Sequence, residues 1–284
     1  RLDRRGVDDW LQALDGGAPE PSPAGAMHLQ ASVTEPEFTA AIAAIHEAIR
    51  DGETYQINYT YRLTGQAHGS PVGLFRRLRA RQPVAYGAFI ALPPADDEAA
   101  ATHILSLSPE LFLRHDAGVL TAKPMKGTAG RLNVPESDSE AARLLQQDIK
   151  NRAENLMIVD LLRNDLGRVA RIGSVRVPAL FSVEPYSTVF QMTSTIQADL
   201  APGTTMPALL RALFPCGSIT GAPKHHAMDL IAGLESTPRG LYCGAIGWVD
   251  APQAGGPYSS VGDFCCSVAI RTLTLRAPDP FTGA

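Results

Sequence analysis

One lysine, Lys126 in the stretch TAKPMKGTAGR (121–131), has the residue type and the setting of a nucleophile. The chain has only four lysines against 21 arginines, so an ordinary surface charge here would be expected to be arginine. Arginine stays protonated in proteins, whereas the pKa of a lysine can be lowered until its amine is neutral. The neighbouring Pro124 and Gly127 indicate a turn or a strand end. The position therefore predicts an amine that must at times be uncharged.

Two carboxylates and one amide could act with such an amine. Glu110 follows a proline in SLSPELF (106–112), Glu154 lies in RAENLMIVDLLRNDLGR (152–168), and Gln56 lies inside a β-rich run. Each also has an ordinary interpretation: Glu110 as a surface turn residue, Glu154 as the partner of a helix arginine, and Gln56 as a satisfied core amide. Their occurrence together with the lysine in one small chain favours acid–base and metal chemistry.

A further candidate is the stretch FPCGSITGAPK (214–224), in which Pro223 suits the first turn of a helix. The backbone N–H groups around Ser218 and Thr220 could bind a substrate carboxylate at that helix terminus, or the turn could simply cap the helix. The stretch does not match GxxxxGK[ST], so we do not predict a nucleotide site.

The elements that must position these groups are helices and strands in irregular order. Helices are predicted at about 34–52, with a buried stripe at Phe38, Ile42, Ile45 and Ile49, and at 137–168, with an apolar face through Leu144, Leu145, Leu156 and Val159. Alternating strand patterns outnumber the helices and do not alternate with them regularly. This predicts an α+β fold with a largely antiparallel sheet.

Composition excludes several classes of function. The net charge of −4 and the pI of about 6.0 argue against nucleic-acid binding. No run of 18 apolar residues predicts a membrane span. The four cysteines form no CxxC pair, so we predict reduced thiols in a cytoplasmic protein, without a zinc site or a disulfide framework.

Residues 33–273 resemble the chorismate-utilising enzymes. The motifs that carry the resemblance are SLSPELF, KPMKGTAGR, ENLMIVDLLRNDLGRV, GSITGAPK, YCGAIGW and VAIRT, in the family's order. The family includes the anthranilate, aminodeoxychorismate, isochorismate and salicylate synthases. The resemblance implies an α+β fold of two packed, largely antiparallel sheets flanked by helices.

Three positions distinguish members of this family. At Lys126 the aminodeoxychorismate synthases have lysine and the anthranilate synthases alanine. At Gln56 the water-using members have lysine, so glutamine fits the ammonia-using members. At Gln191 the anthranilate synthases have a histidine. The three positions together are similar to the aminodeoxychorismate synthases, and anthranilate synthase component I is the alternative.

The resemblance implies a role for each site residue. Lys126 would attack C2 of chorismate, Glu110 would protonate the departing C4 hydroxyl, and ammonia would then displace the lysine at C4. Glu154 would bind Mg²⁺. Substrate contacts would come from Gln56, Gly127, Thr128, Tyr242 and Arg271, with Ser218 and Thr220 as weaker candidates. Asp160, Asn164 and Asp165 would hold their helix against the site. The product would be 4-amino-4-deoxychorismate on the path to p-aminobenzoate and folate, with ammonia from a glutamine amidotransferase subunit or domain.

The resemblance also sets expectations for the ends of the chain. We predict that residues 1–32 are a remnant of an N-terminal region plus a linker, and that residues 33–284 form the chorismate-binding catalytic domain. The family continues after AIRT with a glycine-rich substrate segment and a glutamate that binds Mg²⁺, and we expect these to be missing from this sequence. A non-catalytic homologue that keeps the fold is the alternative of another class.

Overall fold

The computed structural model describes residues 2–93, 100–252, 258 and 260–277. Helices within these residues are α1 Arg4–Leu14, α2 Glu35–Arg50, α3 Pro71–Arg81, α4 Pro135–Gln147, α5 Ile149–Gly167, α6 Met206–Leu213 and α7 Lys224–Leu234, with a 3-10 turn at Gly217–Ile219. Strands are β1 Gly25–Ala31, β2 Gln56–Ile57, β3 Leu63–His68, β4 Tyr86–Ala91, β5 Ala101–Ser108, β6 Leu111–Asp116, β7 Val119–Lys123, β8 Met125–Gly130, β9 Arg176–Pro185, β10 Val189–Asp199, β11 Gly221–Ala222, β12 Ala245–Val249, β13 Phe264–Val268 and β14 Thr272–Arg276. Residue 1 and residues 278–284, the ends of the two predicted regions, lie outside the described residues.

The chain divides into two compact units, and the first comprises Arg1–Glu35, Tyr61–Pro109 and Ile270–Ala284. It contains an antiparallel three-stranded sheet in the order β14-β5-β4 and the antiparallel pair β1–β3. Side chains from α1, α3 and β5 form its core, namely Leu11, Leu74, Phe75, Leu105 and Leu107. The predicted N-terminal linker thus contains a helix and ends in a strand.

The second unit comprises Pro36–Thr60 and Glu110–Ala269. Its seven-stranded sheet has the order β12-β13-β6-β7-β10-β8, with β9 paired to β10, and each pairing is antiparallel. The short strands β2 and β11 pair separately, also antiparallel. Helix α5 packs against β10 and β8 of the large sheet. The α+β class with antiparallel sheets, predicted from the sequence, is confirmed.

Two predicted helix faces are partly wrong. In α2 the buried residues are Ala41, Ile45 and Ala48, whereas Phe38 and Ile49 are each 39% exposed. Periodicity did not separate the two sides, because alanines recur along α2 at the same helical spacing as the larger apolar residues.

The helix predicted at 137–168 is two helices that meet at Asp148. This residue ends α4, and its side chain caps α5 by accepting a hydrogen bond from the Asn151 N–H at 2.7 Å. An aspartate at such a junction satisfies a free N–H of the second helix. On the predicted face, Leu145 and Val159 are buried, but Leu144 and Leu156 are exposed.

None of the described helices combines the length and the apolar character needed to cross a membrane. The four cysteines are free thiols, as predicted. His225 and His226, adjacent in the sequence, are both exposed on α7.

Candidate active site

Lys126 is the second residue of β8, at the end of the large sheet and next to β10. Its side chain is half-buried, and its Nζ donates a hydrogen bond to Asn58 Oδ1 at 3.2 Å. Burial lowers the pKa of this amine, while the negative charges of Glu110 and Glu154 oppose the change. A lysine whose charged form is destabilised in this way is a candidate nucleophile.

Glu110 lies between β5 and β6, directly after Pro109, and only 4% of it is exposed. Burial raises the pKa of its carboxyl group to about 7, although a hydrogen bond from the Ser218 side chain, the charge of Lys126 and the Met125 N–H all favour ionisation. At neutral pH a substantial fraction of such a carboxyl group carries a proton. Glu110 can therefore act as a general acid.

The turn before α7 brings the Ser218 side chain into hydrogen-bond contact with Glu110, and Thr220 follows two residues later. Both are buried, and the Thr220 hydroxyl donates to the Cys216 carbonyl at 3.1 Å, which closes the turn. The Ser218 hydroxyl lies 3.2 Å from the Cys216 sulfur. Gly221 must be glycine, because a Cβ there would lie 2.0 Å from the carbonyl oxygen of Gln56 on β2.

Strand β2 and the residue that follows it supply two amides beside this turn. Gln56 Nε2 lies 3.5 Å from Asn58 Oδ1, and the Gln56 Oε1 atom is buried without a hydrogen-bond partner among the described residues. Asn58 Nδ2 donates to the Thr220 carbonyl at 3.2 Å, which points the Asn58 oxygen towards Lys126. Our sequence analysis missed Asn58. The available signal was the two-residue spacing from Gln56, because side chains two residues apart in an extended segment lie on the same face.

Five of the predicted residues therefore converge with Asn58. We call Lys126, Glu110, Gln56, Asn58, Ser218 and Thr220 the lysine–glutamate cluster. Its members come from four segments of the second unit, and hydrogen bonds or charge interactions connect them. Bringing a tunable amine next to a protonated carboxyl group permits nucleophilic attack with proton donation to a leaving group.

Other predicted residues lie around the cluster. Gly127 follows the lysine with φ +97°, a conformation that suits glycine. The Thr128 hydroxyl donates to Gln191 Oε1 on β10 at 3.0 Å. Glu154 lies on α5 with a partly exposed side chain, 4.0 Å from Lys150 across an exposed ion pair.

Tyr242 lines a cavity of about 490 Å³ in the second unit. Thr220 lies in the same wall, so this cavity borders the cluster, whereas Lys126 and Glu110 are not among its lining residues. Arg271 belongs to the first unit, where it precedes β14 with φ +51°, and its carbonyl accepts a hydrogen bond from the Leu107 N–H at 3.0 Å.

The three polar residues predicted to hold α5 against the site have different roles. Asp165 is buried and pairs with the buried Lys224, which agrees with the prediction. Asp160 pairs with Arg163 at the surface at 2.8 Å, and Asn164 is exposed, so neither holds the helix in place. Both point away from the sheet because α5 buries only one of its faces.

Within the described part of the chain, no three His, Cys, Asp or Glu side chains are grouped as a metal site. Glu154 is a single, accessible carboxylate near the cluster. Mg²⁺ commonly takes one or two protein carboxylates and keeps water or substrate oxygens as its other ligands. Glu154 therefore fits as one ligand of such an ion.

The chain is similar to known proteins in family, in sequence and in fold. The chain matches the chorismate binding enzyme family over residues 3–282. It is 42% identical over 255 residues to aminodeoxychorismate synthase component 1 of Salmonella typhimurium, covering 90% of this chain and 53% of that protein. It is 37% identical over 258 residues to anthranilate synthase component 1 of Streptomyces coelicolor, covering 91% and 48%. The chain thus spans about half the length of these curated relatives.

A solved structure with the same fold is anthranilate synthase component I from Streptococcus pneumoniae. The TM-score is 0.74 at 29% sequence identity, and the match covers 97% of this chain and 59% of that chain.

Proposed function

Because this chain belongs to the chorismate binding enzyme family, we propose that it catalyses the amination of chorismate to 4-amino-4-deoxychorismate, as an aminodeoxychorismate synthase component 1. The observation that carries this proposal is the partly buried Lys126 beside the buried, proton-holding Glu110. Relatives with this name, and with the name anthranilate synthase, both resemble the chain, so the choice between them depends on individual residues.

In the first step, the neutral amine of Lys126 forms a bond to C2 of the ring. Both double bonds of the ring diene shift towards C4, the C4–O bond breaks, and Glu110 gives its proton to the leaving hydroxyl, which departs as water. A free lysine with a pKa of about 10.4 is only about one part in a thousand neutral at pH 7.4, so the lowered pKa of Lys126 supports this role.

In the second step, ammonia forms a bond to C4 and the bond between C2 and the lysine breaks. The lysine leaves as a neutral amine, and the new ammonium group at C4 returns one proton to Glu110. Gln56 is uncharged and would favour ammonia over water, because it cannot act as the base that a lysine would be at this position. Its buried Oε1 atom is a free acceptor for an N–H of the incoming ammonia.

The remaining substrate contacts are proposed from the family resemblance and, for the residues of the second unit alone, from their positions near the cluster. Gly127 and Thr128 follow the nucleophile directly, and Thr220 and Tyr242 line the neighbouring cavity. The guanidinium of Arg271 suits bidentate binding of a carboxylate. Ser218 would hold the Glu110 carboxyl group and border the substrate.

Glu154 would hold Mg²⁺ in the proposed enzyme. The ion, when bound, neutralises a substrate carboxylate. Ammonia would come from a glutamine amidotransferase subunit or domain, and the product would enter the route to p-aminobenzoate and folate. No nucleic acid or membrane partner is proposed.

Anthranilate synthase component 1 is the second candidate, since one relative of that name is 37% identical. Lys126 argues against it, because alanine is expected there in anthranilate synthases. Gln191 also argues against it: its side chain accepts a hydrogen bond from Thr128, where those enzymes are expected to have a histidine.

The test is intact-protein mass spectrometry of the chain with chorismate and Mg²⁺ but without ammonia. We expect a chorismate-derived adduct on the parent protein that Lys126→Ala lacks. The matched control is Lys123→Ala, which removes a nearby lysine that is paired with Glu184 at 2.5 Å. Adding ammonia should discharge the adduct as 4-amino-4-deoxychorismate.

Turnover without an adduct, unchanged in Lys126→Ala, would contradict covalent lysine catalysis. Formation of anthranilate would favour the second candidate. Neither adduct nor turnover would favour a non-catalytic homologue.

A further inference from the structure

Arg239 is a nearly buried arginine that neither the sequence analysis nor the proposed mechanism uses. It lies after α7, with a side chain only 15% exposed, and pairs with Glu235, whose side chain is 7% exposed. The pairing is bidentate: Arg239 Nε donates to Glu235 Oε2 at 2.9 Å, and Arg239 Nη2 donates to Glu235 Oε1 at 2.7 Å. Such a fork–fork pair has a defined geometry as well as a favourable energy.

The same guanidinium also holds two backbone segments that carry cluster residues. Nη2 donates to the Asn58 carbonyl at 2.6 Å, and Nη1 donates to the Ile219 carbonyl at 2.8 Å. Glu235 adds a third attachment, since its Oε1 atom accepts the Thr60 N–H at 2.9 Å and the Thr60 hydroxyl at 3.0 Å. The ion pair therefore joins the segment after β2 to the turn before α7.

Asn58 is held at each of its polar groups by this arrangement. Its N–H donates to the Thr220 carbonyl at 2.8 Å, its Nδ2 to the same carbonyl at 3.2 Å, and its own carbonyl accepts from Arg239. The remaining atom, Oδ1, accepts the hydrogen bond from Lys126. Movement of this backbone would therefore move the contact that orients the amine.

We infer that Arg239 is a positioning residue for Lys126: it locks Asn58 against the Ile219–Thr220 turn and so holds the amine in place. That the held amine is the reacting group rests on the proposed function, whereas the hydrogen bonds that hold it do not. Because a misplaced reacting group can cost about 100-fold in rate, the effect should be visible in the chemical step.

The experiment compares wild type with Arg239→Lys, which keeps the charge but not the planar fork. The first measurement does not use chorismate. In a cyanate solution, neutral amines add to isocyanic acid and become carbamylated. Peptide mass spectrometry then gives the labelling rate of each lysine. The exposed Lys150 is the internal reference. Loosening of Asn58 should admit water around Lys126 and raise its pKa towards the ordinary value. We expect the Lys126-to-Lys150 labelling ratio at pH 7.5 to fall about 3- to 10-fold.

The second measurement is the rate of adduct formation with chorismate. At saturating chorismate this rate should fall about 10- to 100-fold, while the half-saturating concentration stays within about threefold of wild type. The control is Arg143→Lys, the same substitution in an exposed pair with Glu140, and should change neither measurement. If Arg239→Lys does not fold, Glu235→Gln takes its place, because it keeps an acceptor oxygen but weakens the bidentate pair. Glu235→Gln should lower the labelling ratio and the rate of adduct formation by smaller factors.

A labelling ratio equal to that of wild type in a folded Arg239→Lys or Glu235→Gln protein would overturn the inference. If wild type forms no adduct but the ratio still falls in the variant, the proposed function fails and the positioning role of Arg239 stands.

Discussion

Replacing Glu110 by glutamine should change how the stability of the protein depends on pH. Glu110 is buried with a raised pKa, so the folded state favours its neutral form. Glutamine has nearly the same shape and cannot ionise. The variant therefore removes the titration while leaving the packing of the site almost unchanged.

The magnitude follows from the pKa of the folded protein. The pKa of Glu110 rises from an ordinary 4.5 to about 7 because burial disfavours the carboxylate. A group with a raised pKa binds more protons in the folded than in the unfolded state, so the free energy of unfolding falls as pH rises. The contribution is fully present below about pH 4.5 and is lost as pH rises through about 7. At about 1.36 kcal/mol for each pKa unit, the full loss is about 3 kcal/mol.

The assay is urea denaturation of wild type and Glu110→Gln at several values between pH 5 and pH 8, followed by tryptophan fluorescence. Between those limits, the difference in the free energy of unfolding should move by about 2–3 kcal/mol in favour of the variant. Comparing the two proteins at each pH cancels the titrations that they share. The exposed Glu47→Gln variant of α2 is the control for removing one negative charge from the protein.

A difference in the free energy of unfolding between wild type and Glu110→Gln that stays constant from pH 5 to pH 8 would refute the reasoning. It would mean that Glu110 ionises in the folded protein as it does in the unfolded chain, and the proposed general acid would lose its physical basis.

Three other perturbations have expected outcomes of different kinds. Gly127→Ala should lower the free energy of unfolding by about 1–2 kcal/mol in urea, because φ is +97° and the new Cβ would lie 3.1 Å from the Asn151 Cβ. Lys224→Met should cost about 3–5 kcal/mol in the same assay, because it leaves the buried Asp165 carboxylate without its ion-pair partner. Cys216 should resist iodoacetamide at pH 8 in the folded protein, because burial raises the pKa of its thiol to about 12.

Each of these has a matched comparison. Gly130→Ala, with no atom within 4 Å of the new Cβ, should not destabilise the protein. Lys150→Met breaks an exposed pair and should cost less than about 1 kcal/mol. Cys265, which is only partly buried, should react with iodoacetamide before Cys216 does. Equal losses within either stability pair, or equal alkylation of the two thiols, would contradict the local burial described above.

Sequence patterns predicted the class of fold and the helical segments at about 34–52 and 137–168, but not which side of each helix is buried. In α2 periodicity selected Phe38 and Ile49, yet the structure buries Ala41 and Ala48. The buried side of a helix is decided by the segments that pack against it. Those segments come from elsewhere in the chain and leave no local signal in the helix sequence.

The sequence likewise predicted some residues of the site and missed others. Motifs identified Lys126, Glu110, Ser218 and Thr220, which lie together in the fold. Asn58 was missed because its contact with Lys126 joins residues 68 positions apart, and its contact with Thr220 spans 162 positions. No spacing rule connects such residues before the chain folds.

By itself, the sequence determined which groups are available: a lysine where arginine would otherwise be expected, a glutamate after a proline, and the uncharged amide of Gln56. Only the tertiary structure decided how they behave. Folding buries Glu110, removes much of the water around Lys126 and gives its amine a fixed acceptor in Asn58. The pKa of a side chain depends on its solvent and its neighbours, and both are properties of the folded chain.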